Sequence, residues 1–134
     1  MSCSGGACGS FSPTTTASGA PVTYTAPAAP ASNLTVTITA TSAADPTKSA
    51  SATIMVLAVS IGVAPPTSSV LVGATQQFSA TVQNTSNTAV TWALTQGGAA
   101  CTPACGTLNN VNANPVTYTP PAPASDLTVT ITAT

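Results

Sequence analysis

The four cysteines are the residues whose type and spacing point most directly to chemistry. They form two close pairs, Cys3 with Cys8 and Cys101 with Cys105, and each pair is followed by a glycine. Paired cysteines in a chain rich in Ser and Thr indicate local disulfides formed in an oxidising compartment. A metal site needs about four ligands together, whereas these pairs lie far apart, lack C-x-x-C spacing and have no histidine to assist them. Disulfides are therefore favoured over a metal site or free thiols.

Other groups that could support catalysis or bind a metal are scarce. Only Lys48, Asp45 and Asp126 carry side-chain charge. General acid–base catalysis needs a histidine, a carboxylate pair or a perturbed lysine, and the many hydroxyls have no base to activate them. Calcium would need clustered carboxylates. We therefore expect no enzymatic activity, no metal and no cofactor, and we expect Asp45 and Lys48 to form a weak exposed ion pair within one turn.

The near absence of charge also limits the partners that the chain can have. Its formal net charge is −1, and only 2% of its residues are charged, so it can neither neutralise phosphates nor steer a charged ligand. We expect no nucleic-acid partner. The longest apolar run, Ile54–Val59, is far shorter than the roughly 20 residues of a membrane span, so no membrane insertion is expected either.

Attached sugars would suit a surface with so few charges. Asn33 and Asn84 each fit the N-x-Ser/Thr pattern of asparagine glycosylation. Chance matches are expected in a chain this rich in Asn, Ser and Thr. Both residues are candidate glycosylation sites, and glycosylation of threonine hydroxyls is the favoured alternative.

The elements that must position these residues occur twice. The stretch L-T-V-T-I-T-A-T stands at 34–41 and again at 127–134, and P-V-T-Y-T precedes it at 21–25 and 115–119. The copies lie 93 or 94 residues apart. A repeat this close is interpreted first, because its period defines the fold unit.

With this period, the 134-residue chain holds about one and a half units. We interpret 1–59 as the C-terminal part of one repeat. Residues 60–134 are then the N-terminal part of the next repeat, which lacks a closing strand like 51–59. On this interpretation the sequence is out of phase with the domain boundary, because it starts within one repeat and stops within the next. Such an arrangement is expected for a piece of a tandem array or for a subunit that a neighbour completes.

Alternation with a period of two predicts β-strands and no helix. In 34–40 the apolar residues point one way and the threonines the other, which suits a strand with one solvated face. A turn at 44–48 has aspartate first and proline second. The predicted strands are 34–40, 51–59, 59–64, 69–72, 76–82, 89–94, 116–119 and 127–133, with a Gly-rich loop at 96–106. Short strands separated by turns predict an all-β sandwich.

The aromatic residues are expected to pack rather than to bind ligands. Trp92, between Val90 and Leu94, could anchor a sugar, but a lone tryptophan at this place is typical of a sandwich core. Tyr24 and Tyr118 occupy equivalent positions in the two copies, and this repetition favours packing over recognition.

The run Ile54–Val59 breaks the alternation seen elsewhere, because it is apolar on both faces. One interpretation is the junction between repeats, where both sides are covered locally. The other is a contact surface between neighbouring subunits, in which Met55 and Leu57 are the candidate contact residues. The sequence favours the two interpretations equally.

Several short stretches, taken in order, carry a family resemblance. They are V-G-A-T-Q-Q-F-S-A-T-V at 72–82, N-T-A-V-T-W-A-L at 87–94 and A-D-P-T-K-S-A-S-A-T-I at 44–54, together with C-G-T-L, Y-T-P-P and L-T-V-T-I-T-A-T. The combination resembles bacterial immunoglobulin-like domains of the second group, found as tandem repeats in large exported surface and adhesion proteins. The resemblance implies immunoglobulin-like β-sandwich repeats, an extracellular or bacterial cell-surface location and no catalytic residues, since the family has no shared active site.

Two functions fit these observations. The first is a structural repeat of an extracellular fibre or stalk, whose partners are adjacent repeats or copies of the chain itself. Incomplete sandwiches leave open sheet edges, which are templates for strand addition, and head-to-tail repetition makes a filament. The alternative is an adhesin module that binds a carbohydrate or receptor through the loops 3–13 and 96–110. Those loops lack the aromatic or charged cluster that a binding hot spot normally needs.

Overall fold

The computed structural model describes residues 1–4, 6–122 and 126–134. Within that part of the chain every regular element is a β-strand, and the strands pair antiparallel in four sheets. The predicted all-β class is confirmed. No helix in these described ranges could cross a bilayer. The chain divides into two compact units, Met1–Val59 and Ser60–Thr134; their assignment to successive immunoglobulin-like repeats stays a prediction.

The first unit contains five strands. They are β1 (Ser2–Cys3), β2 (Ser10–Ser12), β3 (Thr23–Thr25), β4 (Leu34–Thr41) and β5 (Ser49–Val56). One sheet has the order β1-β4-β5, and β2 pairs with β3 in the other. The β4–β5 ladder is the longest, running from the pair Leu34 and Val56 to the pair Thr41 and Ser49.

Alternation explains the faces of β4 at its start only, because further along Thr37 and Ile38 are both half-buried and Ala40 is exposed. Leu34 and Val36 are 5% and 0% exposed, while Thr35 between them faces solvent. The turn between β4 and β5 forms as predicted, because the Lys48 N–H donates to the Asp45 carbonyl at 3.0 Å. The hairpin therefore follows from local sequence alone, with β-branched residues in the strands and Asp-Pro at the turn.

The second unit contains seven strands. They are β6 (Ser60–Ala64), β7 (Gln76–Gln83), β8 (Trp92–Gln96), β9 (Ala99–Ala100), β10 (Thr107–Asn109), β11 (Val116–Thr119) and β12 (Thr130–Ala133). One sheet has the order β10-β11-β7-β6 and the other β12-β8-β9. Inward residues of both sheets form the core together with two loop residues, Val90 and Cys105; the sheet residues are Phe78, Ala80, Trp92, Leu94, Val116, Tyr118 and Ala133.

The predicted core role of Trp92 is confirmed. Its side chain is 7% exposed, and the indole N–H donates to the Ala113 carbonyl at 3.0 Å. Buried tryptophan usually finds such a partner. Phe78 and Ala80 likewise share the inner face of β7's range 76–83, since both are buried and Gln77 and Ser79 are exposed.

Some strand predictions were wrong, mainly where the described part of the chain supplies no pairing strand. Residues 69–72 form no strand, and the predicted strand 127–133 is reduced to Thr130–Ala133. The strand expected at 89–94 begins only at Trp92, and the loop 96–106 contains β9. The closing strand predicted at 51–59 is Ser49–Val56. Propensity alone does not make a strand, because its backbone groups also need a neighbour.

The two units share the same internal register. Phe11 faces Tyr24 in the β2–β3 pair, and Leu108 faces Tyr118 in the β10–β11 pair. Ser2 faces Thr37 in the first unit as Thr95 faces Thr130 in the second. The described part of the first unit has no counterpart of β6 or β7, and the described part of the second has none of β5.

Candidate functional site

Both predicted disulfides are present. Cys3 and Cys8 are joined with a Cα–Cα separation of 5.6 Å, and Cys101 and Cys105 with a separation of 5.5 Å. Both separations lie within the usual range for a disulfide. Disulfides persist in non-reducing compartments such as the cell exterior, which is consistent with an extracellular location.

Each disulfide belongs to a larger arrangement that we call the stapled corner, made of the cysteine pair, the glycine after it and the tyrosine of the second strand that follows, β3 or β11. In the first unit Tyr24 donates its hydroxyl proton to the Cys8 carbonyl at 2.7 Å. In the second unit Tyr118 makes the same bond to the Cys105 carbonyl at 2.8 Å. The repeated geometry confirms that the tyrosines pack within the fold, as their equivalent positions predict.

The glycines of the corners are required by this geometry. Gly9 and Gly106 have φ values of +79° and +103°, which residues with a Cβ rarely adopt. A Cβ at Gly106 would stand 2.5 Å from the carbonyl oxygen of Thr119 and 2.7 Å from Cε2 of Tyr118, and one at Gly9 would meet the carbonyl oxygen of Thr25 and stand 2.9 Å from the hydroxyl of Tyr24. The sequence shows a glycine after each cysteine pair; the structure supplies the reason, which is the close approach of the backbone carbonyl after the tyrosine, together with the tyrosine side chain.

The two ionisable groups with perturbed pKa values hold structure rather than perform chemistry. Burial raises the pKa of Tyr118 above its ordinary value. The side-chain and backbone hydrogen bonds from Thr47 lower the pKa of Asp45, whose carboxylate accepts from the Thr47 hydroxyl at 2.7 Å and its N–H at 3.0 Å. In the described ranges no three His, Cys, Asp or Glu side chains gather at one place. That the chain is no enzyme stays a prediction.

The candidate glycosylation sites lie on exposed loops. Asn33 accepts a hydrogen bond on Oδ1 from the Ala58 N–H at 2.8 Å, and this bond ties the start of β4 to the residues after β5. Asn84 follows β7 with a φ of +64°. Both residues are exposed, as a modified asparagine must be, and their glycosylation stays a prediction.

The apolar residues after Ile54 divide between the two faces of the chain. Ile54 and Val56 are half-buried, whereas Met55 and Leu57 are 66% and 48% exposed. Both candidate contact residues therefore present apolar surface to solvent. Whether a second subunit covers them stays a prediction.

A groove of about 640 Å³ lies in the second unit between the segment 68–72 and the segment 126–129. We call it the edge groove, because one of its walls is the segment that leads into the edge strand β12. Leu71 and Val72 on one wall are 82% and 61% exposed, and Leu127 and Val129 on the other are half-buried. Sequence reasoning missed the groove. It predicted a strand at 69–72 but assigned no other strand to pair with it, and this gap was the available signal.

Sequence reasoning also missed Asn114. Its Oδ1 accepts from the Ala80 N–H at 2.9 Å, and its Nδ2 donates to the Ala80 carbonyl at 2.7 Å. The amide thus satisfies both backbone groups of one β7 residue, as a neighbouring strand would. The Asn-Pro dipeptide at this position was the only sequence signal, and it indicates a turn rather than this bond.

No family model, curated protein or solved structure matched the chain.

Proposed function

We propose that the chain is a structural repeat of an extracellular fibre or stalk, such as those on bacterial surfaces, built from tandem immunoglobulin-like sandwiches. The observation that carries this proposal is the stapled corner, which is built twice with the same register, the same hydrogen bond and the same glycine. A spacer needs one rigid unit repeated at a fixed period, and the repeated corner supplies such a unit.

Charge and covalent structure support the same proposal. With Lys48 as the only basic residue and Asp45 and Asp126 as the only acids, the surface offers hydroxyls and apolar side chains in place of a charged binding site. The two disulfides fix loops in a non-reducing environment. Adjacent repeats or copies of the chain are the proposed partners, with sugars on Asn33, Asn84 or threonine hydroxyls as the proposed modification.

The edges of the sheets point to the mode of assembly. β5 is an edge strand in the first unit, and β12 is an edge strand in the second. Exposed edges carry unpaired N–H and C=O groups that pair readily with another strand. Addition of a strand from a neighbour would cover these edges, and its repetition along an axis would give a filament.

Electron microscopy of native material purified from the source cells tests the proposal. We expect filaments or long stalks on which antibodies raised against the chain bind at regular intervals. Isolated compact particles with no periodic labelling would contradict the proposal.

An adhesin module is the second candidate, favoured by the rigidity that the disulfides give to the loops 3–13 and 96–110. A glycan array probed with the purified chain separates the two candidates. Saturable binding that is lost when loop 96–110 alone is altered would favour the adhesin, and uniform lack of binding would favour the spacer.

A further inference from the structure

We infer that the loop between β2 and β3, residues 13–22, is a glycosylation site that carries sugars on the hydroxyls of Thr14, Thr15 and Thr16. We call this segment the threonine loop. The inference rests on the proposed function and names the hydroxyls that its sugars occupy. The substrate is a sugar activated at its anomeric carbon as a phosphate ester. The bond from that carbon to the phosphate oxygen breaks, a bond to threonine Oγ1 forms, and the hydroxyl proton leaves with the phosphate.

The threonine loop is longer than the corresponding loop of the second unit. Phe11 faces Tyr24 across β2 and β3, and Leu108 faces Tyr118 across β10 and β11. The connection between the facing residues is three residues longer in the first unit. An insertion in one copy of a repeat lies in a loop, and such loops often carry function. The repeated fold does not account for the additional residues.

The composition of the threonine loop is typical of a glycosylated segment. The loop reads P-T-T-T-A-S-G-A-P-V, with three consecutive threonines and a proline near each end. Segments rich in Ser and Thr with proline are characteristic of mucin-like stalks that carry sugars on hydroxyls. The corresponding residues 109–114 of the second unit read N-N-V-N-A-N and contain neither Ser nor Thr. The cluster of hydroxyls is therefore specific to the longer loop.

The second unit uses its shorter loop for packing. The Trp92 indole N–H donates to the Ala113 carbonyl at 3.0 Å, and the Asn114 side chain binds both backbone groups of Ala80. The threonine loop contains no asparagine, so it cannot be tied to a strand in this way. Asparagine in one loop and threonine in the other indicate that the two equivalent loops have different tasks.

The threonine loop is open to a modifying enzyme along its whole length. Every residue from 12 to 23 is exposed. Strand β2 ends at Ser12, and Pro13 has no N–H to donate to a ladder, so the chain leaves the sheet at this point. Exposed loop tips with small and polar residues are the places where enzymes most readily reach a folded chain.

A turn at the far end of the loop follows the threonines. The Ala20 N–H donates to the Ala17 carbonyl at 3.1 Å, and Gly19 has a φ of +82°. A glycine with positive φ at the third position is characteristic of a tight turn. The turn reverses the chain after Thr16, so the three threonines lie on the segment that leads out from β2.

The threonines of β4 are poorer acceptors because a ladder holds them. β4 pairs with β5 at eight positions, from Leu34 with Val56 to Thr41 with Ser49. The hydroxyls of Thr39 and Ser51 also share a hydrogen bond of 2.9 Å. A transferase binds several residues of its acceptor as an extended chain, so this ladder would first have to open. The threonine loop requires no such opening.

Charge and compartment favour a sugar as the modifying group. Only 2% of the residues are charged and the net charge is −1, and surfaces this close to neutrality tend to associate and precipitate. A bulky hydrophilic glycan would supply the missing solubility. The two disulfides indicate a non-reducing compartment, which favours a sugar over a phosphate from ATP.

Mass spectrometry of native material purified from the source cells tests the inference. Chymotrypsin cleaves after Phe11 and Tyr24 and releases the threonine loop in the peptide 12–24. Electron-transfer fragmentation then locates the modified residues. We expect hexose or N-acetylhexosamine on residues 14–16, and no sugar on the matched loop peptide 109–118 or on the strand peptide 35–55. An unmodified peptide 12–24, a phosphate in place of the sugar, or equal modification of 35–55 would overturn the inference.

An enzymatic assay tests whether the folded chain presents these hydroxyls. The purified, disulfide-bonded chain is incubated with UDP-N-acetylgalactosamine and a polypeptide N-acetylgalactosaminyltransferase, and intact mass counts the sugars added. We expect the parent chain to acquire sugar and T14V/T15V/T16V to lose nearly all of this incorporation. Valine keeps the shape of threonine and removes only the hydroxyl.

The matched control for this assay is T35V/T39V, which removes exposed hydroxyls from β4. Circular dichroism verifies that both variants keep the fold of the parent chain. We expect T35V/T39V to acquire as much sugar as the parent. Incorporation that T14V/T15V/T16V leaves unchanged, or that T35V/T39V abolishes, would refute the assignment to the threonine loop.

The outcomes separate this inference from the proposed function. Filaments whose peptide 12–24 carries sugar support both. Isolated compact particles with sugar on this peptide support the inference and count against the fibre. Filaments with an unmodified peptide 12–24 refute the inference and leave the fibre standing.

Discussion

At the residue scale, the tyrosine of the second stapled corner makes its hydrogen bond inside a core. Tyr118 is 6% exposed, and its hydroxyl donates to the Cys105 carbonyl. Because burial raises the pKa of the phenol above its ordinary value of 10.0, the folded state favours the neutral form. The stabilisation is therefore complete below pH 10 and is lost as the pH rises through the raised pKa.

The substitution Tyr118→Phe isolates this bond. We expect it to lower the free energy of unfolding of the second unit by about 1–2 kcal/mol, because a buried carbonyl is left without its donor. Urea titration followed by Trp92 fluorescence measures the change, since the only tryptophan of the chain lies in this unit. Tyr24→Phe removes the matching bond from the first unit and should leave the Trp92 transition in place. An unchanged midpoint in Tyr118→Phe would show that the bond contributes nothing.

The Asp45 turn gives a prediction on pH. Hydrogen bonds from Thr47 hold the pKa of Asp45 below 3.8, so the folded state favours the ionised carboxylate. The turn is therefore fully formed above pH 3.8 and weakens as the pH falls through the lowered pKa. An NMR titration of the Thr47 amide proton should show a midpoint below 3.8, and the shift should be absent in Asp45→Asn. A midpoint at or above 3.8 would contradict the assignment.

At the scale of the element, the turn after each disulfide depends on its glycine. Gly106→Ala combines a φ of +103° with a Cβ only 2.5 Å from the Thr119 carbonyl oxygen and 2.7 Å from Tyr118. Gly73→Ala is the matched control, because its φ is +83° and a Cβ there would meet nothing within 4 Å. We expect Gly106→Ala to cost about 2 kcal/mol more than Gly73→Ala, measured by urea unfolding. Equal losses would mean that only the backbone angle matters.

The strands show how far local sequence determines structure. β4 and the turn after it follow from alternation and from Asp-Pro, and both form as predicted. Residues 127–129 repeat the start of β4 without forming a strand, and 69–72 also fails to form one. These segments differ from β4 in their neighbours, because no strand of the described ranges pairs with either of them. Strand existence in this fold is decided by pairing as much as by propensity.

At the scale of the whole molecule, the two units differ in how completely their apolar side chains are buried. Val22 in the first unit is 41% exposed, whereas its counterpart Val116 in the second is completely buried beside Phe78 of β7. The first unit has no strand in the place of β7 in the described ranges. The same residue type at the same repeat position therefore contributes to one core and not to the other.

Hydrogen exchange should reveal this difference. We expect the amides of β7, β8 and β11 to exchange at least about tenfold more slowly than those of β4 and β5 in dilute solution, because local stability follows buried apolar contact. Mass spectrometry of peptides from each unit measures the rates. The identical sequences 34–41 and 127–134 provide an internal control for the intrinsic exchange rate. Equal protection in both units would contradict the expectation.

The sequence by itself determined the all-β class, the two disulfides, the Asp45 turn and the core position of Trp92. Each of these depends on residues close together in the chain or on the period of the alternation. Only the tertiary structure decided that Gly106 must accommodate the Tyr118 ring, that Asn114 satisfies the backbone of Ala80 and that a groove lies between 68–72 and 126–129. These features depend on which segments lie side by side, and neighbours in space set that through burial and backbone pairing rather than through local propensity.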